Sequence, residues 1–353
     1  MRVFTAVLLV APMLTMSNGK ADVPAVADTR AQVLERAQVW RSTDIRSADL
    51  LAGPPGPGAL ALGETVSCDY IHDNLGGRTP KFSCKLPDDE RVKVKYGGTN
   101  GEVYGEVLAT RLLWALGFGA DRMYSVTVIC RGCPESFGGI ARPHGEQRFA
   151  PAAIERKMAG HEWSGAGGSG WAWDELDRTD PARGGATREQ RDALKLLAVF
   201  IQHTDSKPEQ QRILCVGAHH EAESCDRPLL MLNDVGMTFG RANRGNTDPP
   251  GSVDLVEWRK VRVWRDDTGC VGNLPRSFSG TLNFPIISEE GRRFLASLLQ
   301  QLSDQQLHDL FAAAQVDQRL RDPGHARSGF PAIDEWVDAF KDKRQQIADR
   351  TCG

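Results

Sequence analysis

The residues whose types and order could do chemistry are acids and amines gathered in a few short stretches of the 353-residue chain. The segment His203-Thr204-Asp205-Ser206-Lys207-Pro208-Glu209-Gln210 follows an apolar helical pattern and precedes a strand-like run. Leu232-Asn233-Asp234-Val235-Gly236 then places a second acid where another strand-like run ends. Phosphoryl transfer needs a carboxylate beside the acceptor hydroxyl, a cation near the group in transfer, and an oxygen cage for a divalent ion. Asp205, Lys207, and Gln210 together with Asp234 are of the right types for those three roles. The plainer alternative is a polar helix end, stopped by Pro208, with no catalytic role.

The first segment resembles the protein-kinase catalytic loop H-R-D-L-K-P-E-N at His203, Asp205, Lys207, Pro208 and Glu209. Asp234-Val235-Gly236 resembles the D-F-G metal-binding element, and Val92-Lys93-Val94-Lys95 resembles the V-A-I-K strand. The resemblance implies that Lys95 holds nucleotide phosphates and pairs with a glutamate of the following helix, Glu106 first, or Glu102 one turn earlier on the same face. The opposing possibility is that Lys93 and Lys95 are simply solvated. It also implies a phosphate-covering loop at Asn74-Leu75-Gly76-Gly77-Arg78-Thr79, where the amides of Gly76 and Gly77 would act without the full G-x-G-x-x-G spacing. An ordinary hairpin turn explains that stretch nearly as well.

Taken together, these motifs are similar to the atypical kinase relatives: HipA-type bacterial kinases, phosphoinositide kinases and secretory-pathway kinases. The likeness implies ATP or another nucleoside triphosphate, magnesium, and a hydroxyl acceptor on protein, lipid or glycan. The sequence departs from the ordinary pattern at Gln210, which stands in place of a metal-binding Asn, and at Val235, which stands in place of Phe. An insert separates Asp205 from Asp234, and no A-P-E-like sequence comes after Asp234. A pseudokinase or binding module, a kinase-like nucleotidyltransferase, and a disulfide-stapled envelope protein without this chemistry remain alternatives.

Periodicity locates the elements that must position these residues. Val66 to Ile71 and Lys81 to Leu86 read as strands joined by turn residues, and Arg91 to Tyr96 as a third. In that strand Val92, Val94 and Tyr96 face one way and Arg91, Lys93 and Lys95 the other. A helix is expected from Asn100 to Gly117 on the stripe Val103, Val107, Leu108, Leu112, Leu113 and Leu116. Tyr124 to Cys130 and Ile154 to Lys157 are further strands. Thr187 with Gln190 forms a capping box for a helix carrying Leu194, Leu197, Ala198 and Ile201. Ile213 to Val216 and Leu229 to Leu232 are strands, and Glu289 to Leu302, Asp304 to Ala314 and Ile333 to Arg350 are helices. Trp163, Trp171 and Trp173 are equally compatible with core and with a partner groove.

This order predicts an α+β, bilobal protein-kinase-like fold: a small β-rich lobe over residues 65–150 and a larger, mainly helical lobe over 151–353. Residues 23–64 would be an N-terminal extension with a Pro/Gly linker or lid at Gly53 to Gly58. Arg2, the apolar stretch Val3 to Met16 and the small residues after it have the outline of a secretory signal over 1–22, or of an uncleaved anchor. No later stretch approaches the roughly 20 apolar residues of a membrane span, and with a net charge of −3 and acid and base interspersed nothing argues for nucleic acid or for an anionic membrane surface, so no nucleic-acid partner is expected. Eight cysteines, an even number, suit an oxidising periplasm, secretory lumen or extracellular space. Plausible pairs are Cys68 with Cys84, Cys130 with Cys133, Cys215 with Cys225 and, by elimination, Cys270 with Cys352. Cys130 and Cys133 could instead be half a zinc site or a redox pair, and His219-His220 with Glu221 and Cys225 could bind a metal.

Overall fold

A computed structural model describes residues 28–77, 79–134, 145–217, 224–242, 252–319 and 331–353. The expected export segment, Arg78, and the cluster His219, His220 and Glu221 lie outside the described residues.

Five strands form a closed barrel: β1 (Thr65–Ile71), β2 (Lys81–Lys85), β3 (Arg91–Tyr96), β4 (Arg122–Arg131) and β5 (Glu146–Arg156). Neighbours pair antiparallel except β1 and β4, whose parallel ladder from Thr65 opposite Thr127 to Asp69 opposite Arg131 closes the ring. That closure has no local signature, because it joins strands far apart in sequence. β5 is also much longer than the strand expected at Ile154 to Lys157. Alternation in β3 works as anticipated, with Val92 and Val94 buried among Phe82, Tyr124, Val128 and Ile154 inside the barrel. The buried Cys68–Cys84 and Cys130–Cys133 disulfides join the same core.

Against the barrel lies helix α2 (Gly101–Leu116), the second after α1 (Arg30–Arg36). It is started by Asn100, whose side chain accepts from the Glu102 amide, and ended by Gly117 at φ 87°. The sequence shows one apolar stripe, yet nearly the whole helix is buried, because a later helix, Asp304–Ala313 (α6), packs on it as well as the strands. Its buried Arg111 donates to the carbonyls of Leu50 and Leu51 at 2.8 and 2.6 Å. Tyr124 donates to Pro54 O at 2.8 Å and Arg122 to Pro57 O at 3.0 Å. The Pro/Gly stretch is therefore strapped to α2 and β4.

Beyond the barrel a three-stranded sheet holds β6 (His161–Glu162), β7 (Gln211–Cys215) and β8 (Pro228–Leu232), in that order. Trp163, Trp171 and Trp173 are buried in the second hydrophobic core, and Trp171 Nε1 donates to Arg212 O and Met231 O across the β7–β8 hairpin. These tryptophans are core, not a partner groove. Helix α3 (Arg188–Phe200) begins with the Thr187/Gln190 capping box and packs on α5 (Glu289–Leu299), which in turn meets α7 (Ile333–Ala348). The short helix α4 (Leu255–Lys260) also rests on α7. Cys215–Cys225 and Cys270–Cys352 complete four cysteine pairs with Cα separations of 5.4 to 5.8 Å. Among the described residues no helix is long and apolar enough to cross a membrane.

Candidate active site

The β7–β8 hairpin brings the two acidic loops side by side, since one precedes it and the other comes after it. Two backbone hydrogen bonds stitch the loops together: Asn233 N donates to Gln210 O at 3.0 Å, and Thr204 N donates to Met237 O at 3.1 Å. Asp205 and Asp234 therefore open onto one cleft of about 630 Å³, also lined by Gly76, Gly77, Lys207, Gln210 and Glu102.

Lys95 reaches this place from β3, on the face opposite the valines. Its Nζ lies 2.6 Å from Glu102 Oε2, 2.5 Å from Glu106 Oε1 and 3.0 Å from Asp234 Oδ1. Both glutamates named by the resemblance meet the lysine, so the choice between them was not exclusive. Lys95 is only 1% exposed, which rules out the solvated alternative for it. Lys93 is answered separately by Glu155, its cross-strand neighbour, at 2.5 Å.

Two glycines make this convergence possible. A Cβ on Gly105, between the two glutamates of α2, would stand 2.3 Å from Gly236 O, and one on Gly236 would stand 2.8 Å from Glu102 Cβ. Helix and loop can approach this closely only because neither carries a side chain there.

Burial opposes every charge in the cluster, and the outcome differs group by group. For Lys95, burial works against the ammonium but Asp234, Glu106 and Glu102 outweigh it and hold its pKa well above the usual lysine range. Burial likewise opposes Asp234, yet the Lys95 charge outweighs it and holds the carboxyl well below the usual range. Glu106 goes the other way: burial outweighs the attraction of Lys95, and the neighbouring Asp234 charge pushes it further up. Glu106 Oε2 is buried without a hydrogen-bond partner.

Ligand atoms of Glu102, Glu106 and Asp234 lie within 4.8 Å of one another. Three carboxyl groups against one ammonium make a site rich in oxygen, and the orphaned Glu106 oxygen adds a lone pair not otherwise committed. Hard oxygen donors of this kind fit magnesium. Gln210, the other expected metal ligand, turns its amide nitrogen to Asp205 Oδ2 at 3.0 Å, and Lys207 Nζ lies 3.2 Å from the same oxygen. Asp205 is accordingly held by two donors.

His203 sits at the start of the same loop, fully buried near Trp173 with ring centroids 6.3 Å apart. Burial lowers its pKa to about 4 despite the nearby charges of Asp205 and Asp234, so the ring is neutral.

Several cleft residues escape a reading of the sequence. Lys81 stands directly opposite Lys95 in the β2–β3 register, and burial, then the Lys95 charge, lowers its pKa. Its signal lies in the hairpin register, once the turn length is known. Thr79 donates to Glu102 Oε1, which steadies that glutamate from the β1–β2 turn. Arg212, Met237, Phe278 and Ser279 also line the cleft. Phe278 and Ser279 come from a loop with no periodicity, and nothing local in sequence points to them.

No family model and no curated protein matches the sequence. Among solved structures the chain is similar to a proinflammatory kinase of Helicobacter pylori, CtkA, at 10% identity over 80% of this chain and 94% of that one, with a TM-score of 0.44. So distant a likeness carries no functional argument, and the case for chemistry rests on the cleft itself.

Proposed function

We propose that this chain is an atypical phosphotransferase that moves a phosphoryl group from a magnesium-bound nucleoside triphosphate to a hydroxyl on protein, lipid or glycan. The observation that carries this reading is the junction of Lys95 with Asp234, 139 residues apart, in a cleft that Asp205 also lines. The nucleotide would supply the transferable group and its metal the charge neutralisation. Asp234 and the α2 carboxylates would hold the metal, and Lys95 would face the phosphates. Asp205, oriented by Gln210 and Lys207, would position the acceptor hydroxyl and take its proton. Gly76 and Gly77 would offer backbone amides from the turn that lines the cleft.

The four cysteine pairs and the basic-then-apolar start support a location outside the cytoplasm, in periplasm, secretory lumen or the extracellular space. A second reading, nucleotide binding without turnover, is favoured by one feature: Gln210 gives Asp205 its amide nitrogen where a metal ligand would offer oxygen.

The test is transfer from ATP labelled on the γ-phosphate, with magnesium, to protein, lipid and glycan acceptors, with mass analysis of the products. An added phosphate is expected. Asp205→Asn should lower the rate by roughly 10²- to 10⁴-fold, the usual weight of a general base, while leaving nucleotide binding intact. Binding without any turnover would support the second reading, and an added nucleotide would replace both with nucleotidyl transfer.

A further inference from the structure

Lys95 is the amine that the kinase resemblance turns towards phosphates, yet its ammonium has three N–H groups and they are committed to Glu102, Glu106 and Asp234. At 1% exposure it has no further face open to a ligand. Phosphate oxygens are held best by charged donors that touch them, so the direct contact falls to another cation of the cleft.

Lys81, Lys93, Lys207 and Arg212 line that cleft. Carboxylates answer the last three: Glu155 meets Lys93 at 2.5 Å, Asp205 meets Lys207 at 3.2 Å and Glu162 meets Arg212 at 3.2 Å. Among the described residues no carboxylate bonds to Lys81, on which Glu102 and Asp234 act only through space. Lys81 begins β2 directly opposite Lys95, so it stands over the junction with Asp234 where the metal would be held. Its ammonium lies against the β1–β2 turn, since a Cβ on Gly77 would stand 3.0 Å from Lys81 Nζ. Gly77 has φ 87°, and glycine keeps the turn open where the amine meets it. Thr79 ties the same turn to Glu102 of α2. Burial and the Lys95 charge both oppose the charge of this half-buried amine, and a bound phosphate would offset them.

We propose that Lys81 is the residue that donates to the metal-bound terminal phosphates, beside the amides of Gly76 and Gly77, while Lys95 contributes its charge from behind the carboxylates. The inference rests on the nucleotide reading of the cleft and adds a specificity to it. Lys81 selects for a polyphosphate chain, and a nucleotide with one phosphate falls short of it.

Titration calorimetry of the full chain with magnesium tests it, the probes being ATP, AMP and inorganic tripolyphosphate. Wild type is expected to bind ATP and tripolyphosphate saturably and AMP at least tenfold more weakly. Lys81→Met should weaken ATP and tripolyphosphate at least tenfold, so that the preference for ATP over AMP collapses, and Lys81→Arg, which keeps the charge, should restore most of it. ATP binding with the same preference in Lys81→Met would overturn the inference and leave the nucleotide cleft standing. Tripolyphosphate binding that requires Lys81, without any binding of ATP, would support Lys81 as the phosphate donor and overturn the nucleotide reading instead. Binding of neither would overturn both. As an independent readout, ligand-free Lys81→Met should unfold at the wild-type temperature or above it, since an opposed charge has been removed. A lower unfolding temperature, with equal losses for all three probes, would assign Lys81 a structural role and overturn the proposal.

Discussion

The barrel interior and the junction between α2 and Gly236 are built from the same strand, β3, and obey opposite rules. Val92 and Val94 turn inward into an apolar core whose members can be exchanged for others of like volume. Lys95, also buried, turns outward into a cluster in which every charge depends on its partners. Removal of one partner from such a cluster leaves uncompensated charge away from water, whereas trimming an apolar side chain leaves only a small void.

That contrast sets the expected sizes of effect. Lys95→Met should cost about 3–5 kcal/mol, the range for breaking a buried ion pair, measured as the shift in urea midpoint. Ile154→Val, inside the barrel, should cost roughly 0.5–1.5 kcal/mol. If the two were equal, the carboxylates around Lys95 would have to be solvated, and the junction would differ little from ordinary surface.

Next in size is a pH effect from His203. Its pKa is about 4 in the folded chain, below the unfolded value of 6.5. Between those values the unfolded chain binds the proton and the folded chain does not, so stability is full above pH 6.5 and falls as pH drops towards 4. The contribution is about 3 kcal/mol by the usual conversion of a pKa difference into free energy. Stability curves of wild type and His203→Gln should therefore diverge over that window, the variant being flatter, and parallel curves would show that the ring is solvated.

Smaller again is Gly105→Ala, at about 1–3 kcal/mol for overpacking. Its added methyl would meet Gly236 O, so α2 must move away from Asp234. The variant should lose magnesium-dependent nucleotide binding out of proportion to its stability. Retained binding would mean that the close approach of helix and loop is not what assembles the site.

How much of the molecule is legible in sequence divides along the same line. Local rules locate β3, the α2 cap at Asn100 and the Thr187 capping box, because turn chemistry and periodicity act over a few residues. They also place Asp205 and Asp234 at the ends of elements. The parallel pairing of β1 with β4 and the near-complete burial of α2 depend on contacts distant in sequence, which no local pattern carries. Lys81 is hidden for a related reason, since its position opposite Lys95 depends on the β2–β3 register.

The most direct test of the central claim is a magnesium–ATP binding isotherm on wild type and Asp234→Asn. A nucleotide cleft at this junction predicts saturable binding that requires the metal and is lost in the variant, with the fold intact by circular dichroism. Binding that ignores magnesium, or that survives unchanged in Asp234→Asn, would contradict a nucleotide site built on the meeting of Lys95 and Asp234.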